Sequence, residues 1–234
     1  RAGGSLGVTS TYRVYGLGFA RKALPGALGP VEMNDWRGGR GGFRVDWDPG
    51  PRDHVSFGGS AVGNSEPQGV VRAELDPPYV SNTVDNVRQA GESVLARWTR
   101  QFNANSELRV QANYDHTDRA EILGHDRRHV LDLDLQHNAS LDSHHELVWG
   151  ANWRYTTDEL DSGLPFVSFT DNAMTETQGG FYVQDEVHTL DRRAAVTIGA
   201  KVEKASYGDA SLQPNLRLAF SPTPRVATWA SVAR

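Results

Sequence analysis

Three features of this 234-residue sequence predict an all-β protein, an antiparallel up-and-down transmembrane β-barrel of which about eleven meander strands are present. Apolar and polar residues alternate with a period of two, the alternating runs reach about ten residues, and short and long connections take turns. Period two gives each strand one apolar and one polar face. A tilted strand needs about 9–11 residues to cross the hydrocarbon of a bilayer, whereas globular strands cluster near about 5–6. Short turns at one rim and longer loops at the other suit a membrane barrel. A propeller would repeat at roughly 40–50 residues, but successive short turns here lie about 55, 38, 48 and 32 residues apart.

The strands fall near 10–21, 36–48, 54–64, 91–102, 107–117, 128–141, 145–157, 175–188, 194–205, 212–220 and 226–234. In the first, Tyr12/Val14/Gly16 and Tyr15/Leu17/Phe19 are both apolar, so its register stays open. The second alternates cleanly through Phe43-Arg44-Val45-Asp46-Trp47, the fourth through Val94, Ala96 and Trp98, and the fifth from Leu108 to Asp115. Leu131-Asp132-Leu133-Asp134-Leu135 is the strictest run, and Leu147 to Tyr155 follows it. Val196, Ile198, Ala200 and Val202 alternate with Lys201 and Glu203 among others, and Leu216, Leu218 and Phe220 close the series. Short connections read as Asp48–Asp53, Asn103–Ser106, Asp142–His144, Leu190–Arg193 and Ser221–Arg225, all rich in residues that accept turn dihedrals. The long ones lie at roughly 22–35, 65–90, 118–127, 158–174 and 206–211. No helix is predicted: the one capping-box candidate, Ser93, is followed three residues on by Ala96 instead of an acid or amide.

Composition narrows the function classes. No apolar run reaches 18 residues, which excludes a transmembrane helix. There is no cysteine, hence no disulfide framework, zinc-thiolate site or cysteine nucleophile. A net charge of −5 is too mild to point to nucleic acid. The mean hydropathy of −0.53 is compatible with a barrel, because only every second strand residue meets lipid.

Energy chooses which face meets lipid. Arg or Lys on that face at the midplane costs about 2–4 kcal/mol, less near the interfaces. Phe43, Val45, Trp47, Val94, Ala96, Trp98, Leu108, Val110, Ala112, Tyr114, the Leu131/133/135 set and Leu147 to Tyr155 are therefore assigned outward. Arg44, Asp46, Arg109, Gln111, Asn113, Asp115, Asp132, Asp134, Arg154, Lys201 and Glu203 are assigned to the lumen. Trp47, Trp98 and Trp149 lie close to short turns and suit an aromatic girdle at that interface, with Tyr114 and Tyr155 marking the other. The competing reading, aromatics filling a soluble β core, is disfavoured because the polar face has too few small or apolar residues for sheet-on-sheet packing.

Several segments resemble TonB-dependent receptors of the siderophore or cobalamin kind. They are Tyr12-Arg13-Val14-Tyr15-Gly16; Asp35-Trp36-Arg37 followed by Arg40-Gly41-Gly42-Phe43-Arg44-Val45-Asp46-Trp47; His145-Glu146-Leu147-Val148-Trp149-Gly150; Phe181-Tyr182-Val183-Gln184-Asp185-Glu186; Gln213-Pro214-Asn215-Leu216-Arg217; and Trp229-Ala230-Ser231-Val232-Ala233-Arg234. Each is weak alone, but their order spans almost the whole chain. The resemblance implies a bacterial outer-membrane receptor for energised uptake of a scarce nutrient, a ferric siderophore or cobalamin, and not an enzyme. Its partners would be outer-membrane lipid, a plug domain, TonB acting through that plug, and a metal-chelate or cobalamin-type ligand. Such a barrel has 22 strands, so residues 1–234 are expected to be a single partial barrel domain without plug or closing strands. A passive porin or structural barrel is the alternative, and a soluble β-rich binding protein or enzyme a more distant one.

Other candidate chemistry reads more plainly as structure. Asp132 and Asp134 share a face and could be read as a hydrolase pair, but solvated lumen carboxylates are the preferred reading. The eight histidines show no metal-ligand spacing, and no cofactor motif is present. Gly38-Gly39-Arg40-Gly41-Gly42 lacks the helix that a phosphate cradle uses, and it suits bending or close approach of a plug. Asn138-Ala139-Ser140 matches a glycosylation acceptor but falls within a strand. Trp36 and Tyr79 are the candidate ligand-facing aromatics, against the favoured reading of ordinary loop packing.

Overall fold

The computed structural model describes residues 1–22, 35–121, 124–163, 168–189, 191 and 193–234. Among these, twelve strands form one sheet in strict sequence order, every neighbouring pair antiparallel. They are β1 (Ala2–Ser5), β2 (Ser10–Arg21), β3 (Trp36–Gly50), β4 (Asp53–Ala73), β5 (Val80–Asn103), β6 (Ser106–Glu121), β7 (Gly124–Ser140), β8 (His145–Ser162), β9 (Ala173–Thr189), β10 (Ala194–Ala205), β11 (Ser211–Thr223) and β12 (Val226–Ala233). β1 is an addition to the expected eleven; it pairs with β2 from Ala2↔Val14 to Ser5↔Thr11.

The register sorts side chains into rows. One row runs Val45, Phe57, Ala96, Ala112, Leu133, Trp153 across β3 to β8. The next residue along each strand gives Asp46, Ser56, Arg97, Gln111, Asp134, Asn152 on the opposite face. This separation persists because pairing is in step across the sheet, and a one-residue slip would exchange the faces. Pairing also settles β2: Val14 opposes Phe43 and Tyr12 opposes Val45, so Tyr12, Val14 and Gly16 share the apolar face. Tyr15, Leu17 and Phe19 lie on the polar one.

No apolar side chain among the described residues is buried. Leu133 remains 43% exposed and Ile198 58%. A water-soluble fold hides its apolar stripe against a second layer; this single layer presents it outward.

Both ends of the apolar band carry aromatics with hydrogen-bonded polar tips. Near the short turns, Trp98 Nε1 donates to Asp53 Oδ1 at 2.9 Å. There too Trp149 Nε1 donates to His137 Nδ1 at 3.0 Å, which leaves His137 Nε2–H to face Ser106 Oγ at 2.9 Å. At the far end Tyr114 Oη and His129 Nδ1 are 2.8 Å apart, and His129 stacks on His116 at 4.2 Å. Such rings suit boundaries with one apolar and one wet side. The eight residue steps from His129 to His137 span about 26 Å of strand, or about 20 Å of depth at a tilt near 40°.

Two of the far-end connections are shorter than the sequence suggested. Residues 65–90 are a continuous β-hairpin: β4 and β5 stay paired out to Ala73↔Val80, leaving only 74–79 as a turn. Likewise β6 and β7 pair to Glu121↔Gly124, so 118–127 is mostly strand. Polar residues on both faces there resemble a loop in sequence, but a ladder whose backbone is already paired can continue into water. At these two connections the expected long loop is instead strand overhang. The expected connection at 22–35 lies outside the described residues but for its ends, as do 164–167 of the 158–174 connection and Leu190 and Arg192 of the 190–193 turn.

Candidate functional site

The polar face gathers the residues assigned to it by alternation. The row Arg44, Gly58, Leu95, Asn113, Asp132, Arg154, Gln178 crosses β3 to β9. Lys201, Tyr182, Gly150, Gln136, Arg109 form another row, read back from β10 to β6. A groove of about 450 Å³ on this face is lined by Gln111, Asn113, Asp132, Asp134, Arg154, Lys201 and Glu203 with Leu95, Asn152 and Gln178. Arg109 lines an adjoining pocket with Arg97 and Tyr182. Arg44 and Asp46 stand apart on β3, beside Ser56 and His54 of β4.

Charges on this face are paired locally. Arg154 grips Asp132 in a two-toothed pair, Nε to Oδ1 at 2.6 Å and Nη2 to Oδ2 at 3.1 Å. Arg44 Nη2 reaches Asp46 Oδ1 at 2.7 Å, and Ser56 Oγ donates to the same oxygen at 2.6 Å. Lys201 pairs with Glu203, and Asn113 donates to Asp115. Arg97 Nε donates to Gln111 at 2.8 Å and Tyr182 Oη to Gln136 Oε1 at 3.0 Å. Exposed pairs of this kind contribute about 0–1 kcal/mol each, so the face is a hydrated, charge-balanced wall. Asp132 is occupied by Arg154, which removes the geometry of a paired-carboxylate catalyst.

The glycine run in β3 has a packing cause. A Cβ on Gly42 would meet the Tyr15 ring, with Tyr15 Oη at 2.7 Å, and one on Gly38 would meet Phe19 Cζ at 2.8 Å. Gly38 and Gly42 make room for aromatic rings lying across the strand, whereas a Cβ on Gly39 or Gly41 would meet only a backbone carbonyl at 3.4 Å.

Trp36 stands at the far end of β3, on the polar face. Its ring lies edge-on to Phe19 at 4.9 Å, with the Arg21 guanidinium 5.1 Å from its centroid. Its Nε1 is buried and makes no hydrogen bond. A pocket of about 400 Å³ adjoins this strand end, lined by Trp36 and Arg21 together with Arg37, Ser65 and Asn86, which alternate to the opposite face. The Arg21 guanidinium over the indole suits an anionic, flat ligand. Arg21 was not singled out in the sequence, because only the β2–β3 register brings it to Trp36.

Tyr79 is elsewhere. It sits in the β4–β5 turn with φ 64° and is 60% exposed. Its N–H donates to Asp76 O at 2.8 Å and its carbonyl accepts from Glu74 N–H at 3.0 Å. Ser65, beside Trp36, is eight residues before Ala73 at the end of β4, about 26 Å of strand. The structure does not bring the two aromatics together, and it ties Tyr79 into turn geometry.

Residues 6–234 match the family described as "TonB dependent receptor-like, beta-barrel". No curated protein matches the sequence significantly. Among solved structures, the chain is similar to the siderophore receptor PirA from Pseudomonas aeruginosa, with a TM-score of 0.72, 15% identity, and coverage of 99% of this chain and 37% of that one. A variant of the ferric enterobactin receptor PfeA from the same organism gives 0.74, 13% identity, and 99% and 40% coverage. BauA, the ferric preacinetobactin receptor from Acinetobacter baumannii, gives 0.68, 13% identity, and 98% and 43% coverage. The chain thus spans about two fifths of these structures, and at such identities the likeness shows the fold.

Proposed function

The chain belongs to the TonB-dependent receptor-like β-barrel family, and from that premise we propose that it forms part of the wall and mouth of a bacterial outer-membrane receptor that imports a metal chelate. The apolar face meets lipid, and the polar face lines the lumen. Trp36 and Arg21 at the mouth contribute to ligand capture, and the tip residue Tyr79 does not. A plug moved by TonB then opens the path along the polar wall.

The observation that carries this reading is the two-faced single layer. It has no buried apolar core among the described residues, and its polar rows are continuous from β3 to β10. Siderophore receptors as structural neighbours support a ferric chelate over cobalamin, and the Arg21 guanidinium over the Trp36 ring supports an anionic one.

The test is radiolabelled ferric-siderophore uptake in a strain whose only receptor is the complete gene. Uptake should vanish when TonB is deleted. Trp36→Ala combined with Arg21→Ala should weaken binding about tenfold, the scale of one aromatic–cation contact pair with its packing. Tyr79→Ala should change it less than about twofold. Flux that persists without TonB, for small solutes of any charge, would instead mark a passive porin.

A further inference from the structure

Glu146 on β8 and Glu186 on β9 are directly opposed in the ladder. Like charges in that position repel, yet the pair is flanked by a third group, His188, two residues beyond Glu186 on the same face. His188 Nε2 lies 3.3 Å from Glu146 Oε1 and 3.3 Å from Glu186 Oε1. Its side chain is 11% exposed, and Nε2 itself is buried without a hydrogen bond. One donor atom from each residue falls within 4.8 Å of the other two.

These separations are long for a charge-assisted N–H···O bond, which favours about 2.7–2.9 Å. They fit a metal ion better. With metal–nitrogen and metal–oxygen bonds of about 2.0–2.2 Å, a tetrahedral ion holds its donor atoms about 3.3–3.6 Å apart. Glu186 is also oriented from behind. Thr197, 7% exposed, donates through Oγ1 to Glu186 Oε2 at 3.1 Å, leaving Oε1 to face the imidazole. Such outer partners are what fix a ligating carboxylate.

We propose that Glu146, Glu186 and His188 form a divalent transition-metal site on the polar face, beside the short-turn end of β8 and β9. Two carboxylates cancel the charge of the ion, and the imidazole selects a borderline ion such as Zn²⁺ over Mg²⁺ or Ca²⁺, which take oxygen donors. Three protein ligands leave a position for water. The ion would relieve the Glu146–Glu186 repulsion and clasp β8 to β9. The site does not depend on which chelate the receptor carries.

The test uses the protein expressed from its complete gene, purified in detergent and stripped with a chelator. Zn²⁺ is titrated against a chromophoric competitor. His188→Ala should abolish one site, and Glu186→Gln should weaken it beyond the about 10–100-fold that loss of a supporting partner alone causes. His125→Ala should leave it unchanged. Heat-dependent mobility on denaturing gels reports whether each variant forms its barrel. Crystals of the unaltered protein soaked in Zn²⁺ should show an anomalous peak about 2.0–2.2 Å from all three donor atoms. A crystal without that peak, or a Zn²⁺ titration that His188→Ala does not change, overturns the site and leaves an imidazole packed between two carboxylates.

Discussion

Leu133→Arg tests the assignment of the apolar face to lipid. Leu133 lies in the middle of β7, between Ala112 and Trp153 in its row. Four residue steps separate it from His129 and four from His137, the hydrogen-bonded rings that mark the two edges of the band. That is about 13 Å of strand in each direction, or about 10 Å of depth at a tilt near 40°. An arginine there is too deep for snorkelling to remove its cost, so destabilisation of about 2–4 kcal/mol is expected, against about 0–1 for His129→Arg at the interface. Equilibrium urea unfolding in phospholipid vesicles measures both. A soluble core would also resist Leu133→Arg, so a second readout is needed. The sequence has no cysteine, and single cysteines at 133 and 134 can each carry a fluorophore. Lipid-borne quenchers should reach the label at 133 and not the one at 134. Equal costs for the two arginines, or stronger quenching at 134, would refute the register.

Three further outcomes follow from the polar face and one turn. In Gly150→Ala the new Cβ would meet the Leu135 carbonyl and lie 2.6 Å from the Tyr182 ring; the displaced ring should cost about 1–3 kcal/mol by urea unfolding, and Tyr182→Ala in the same chain should recover part of it. A double-mutant cycle on Asp132 and Arg154, whose guanidinium is 53% exposed, should give a coupling of about 0.2–1 kcal/mol that falls with salt; more than about 2 would mean a dry wall. Asp142 accepts the His144 and His145 backbone N–H groups at 2.7 and 2.9 Å, which hold its carboxyl below the usual range. A depressed folded pKa means the stabilisation is full above the unfolded value near about 3.9 and fades as pH falls through the folded one. The difference in unfolding midpoint between wild type and Asp142→Ala should therefore be present at neutral pH and shrink below about pH 4.

Strand positions were legible because a membrane makes alternation costly to break. Leu131 to Leu135 cannot shift by one residue without placing Asp132 and Asp134 in lipid, so β7 could be read from itself. β2 could not, since Tyr12/Val14 and Tyr15/Leu17 are equally apolar. Only its pairing partner decides: Arg44, which must avoid lipid, puts Arg13 beside it and Tyr15 on the same face. The hairpin from Glu66 to Arg88 was hidden for the opposite reason. Beyond the bilayer both faces touch water, the two-residue period fades, and strand and loop look alike in composition although the ladder continues.

The polar face was legible as a face and illegible as a set of contacts. Alternation assigns Arg154 and Asp132 to one side, but nothing in the sequence says that 22 residues of separation close to a 2.6 Å pair; that depends on the β7–β8 register. Glu146 and Glu186 illustrate the same limit at a distance of 40 residues. His188 reads in sequence as the end of an apolar-polar alternation, and its burial between two carboxylates appears only when β8 and β9 are laid side by side. Function in a wall of this kind resides in rows across the strands, whereas sequence runs along them. The residues most informative about mechanism are therefore those whose row partners conflict: a pair of opposed glutamates, or an indole with its N–H buried and unbonded at the mouth.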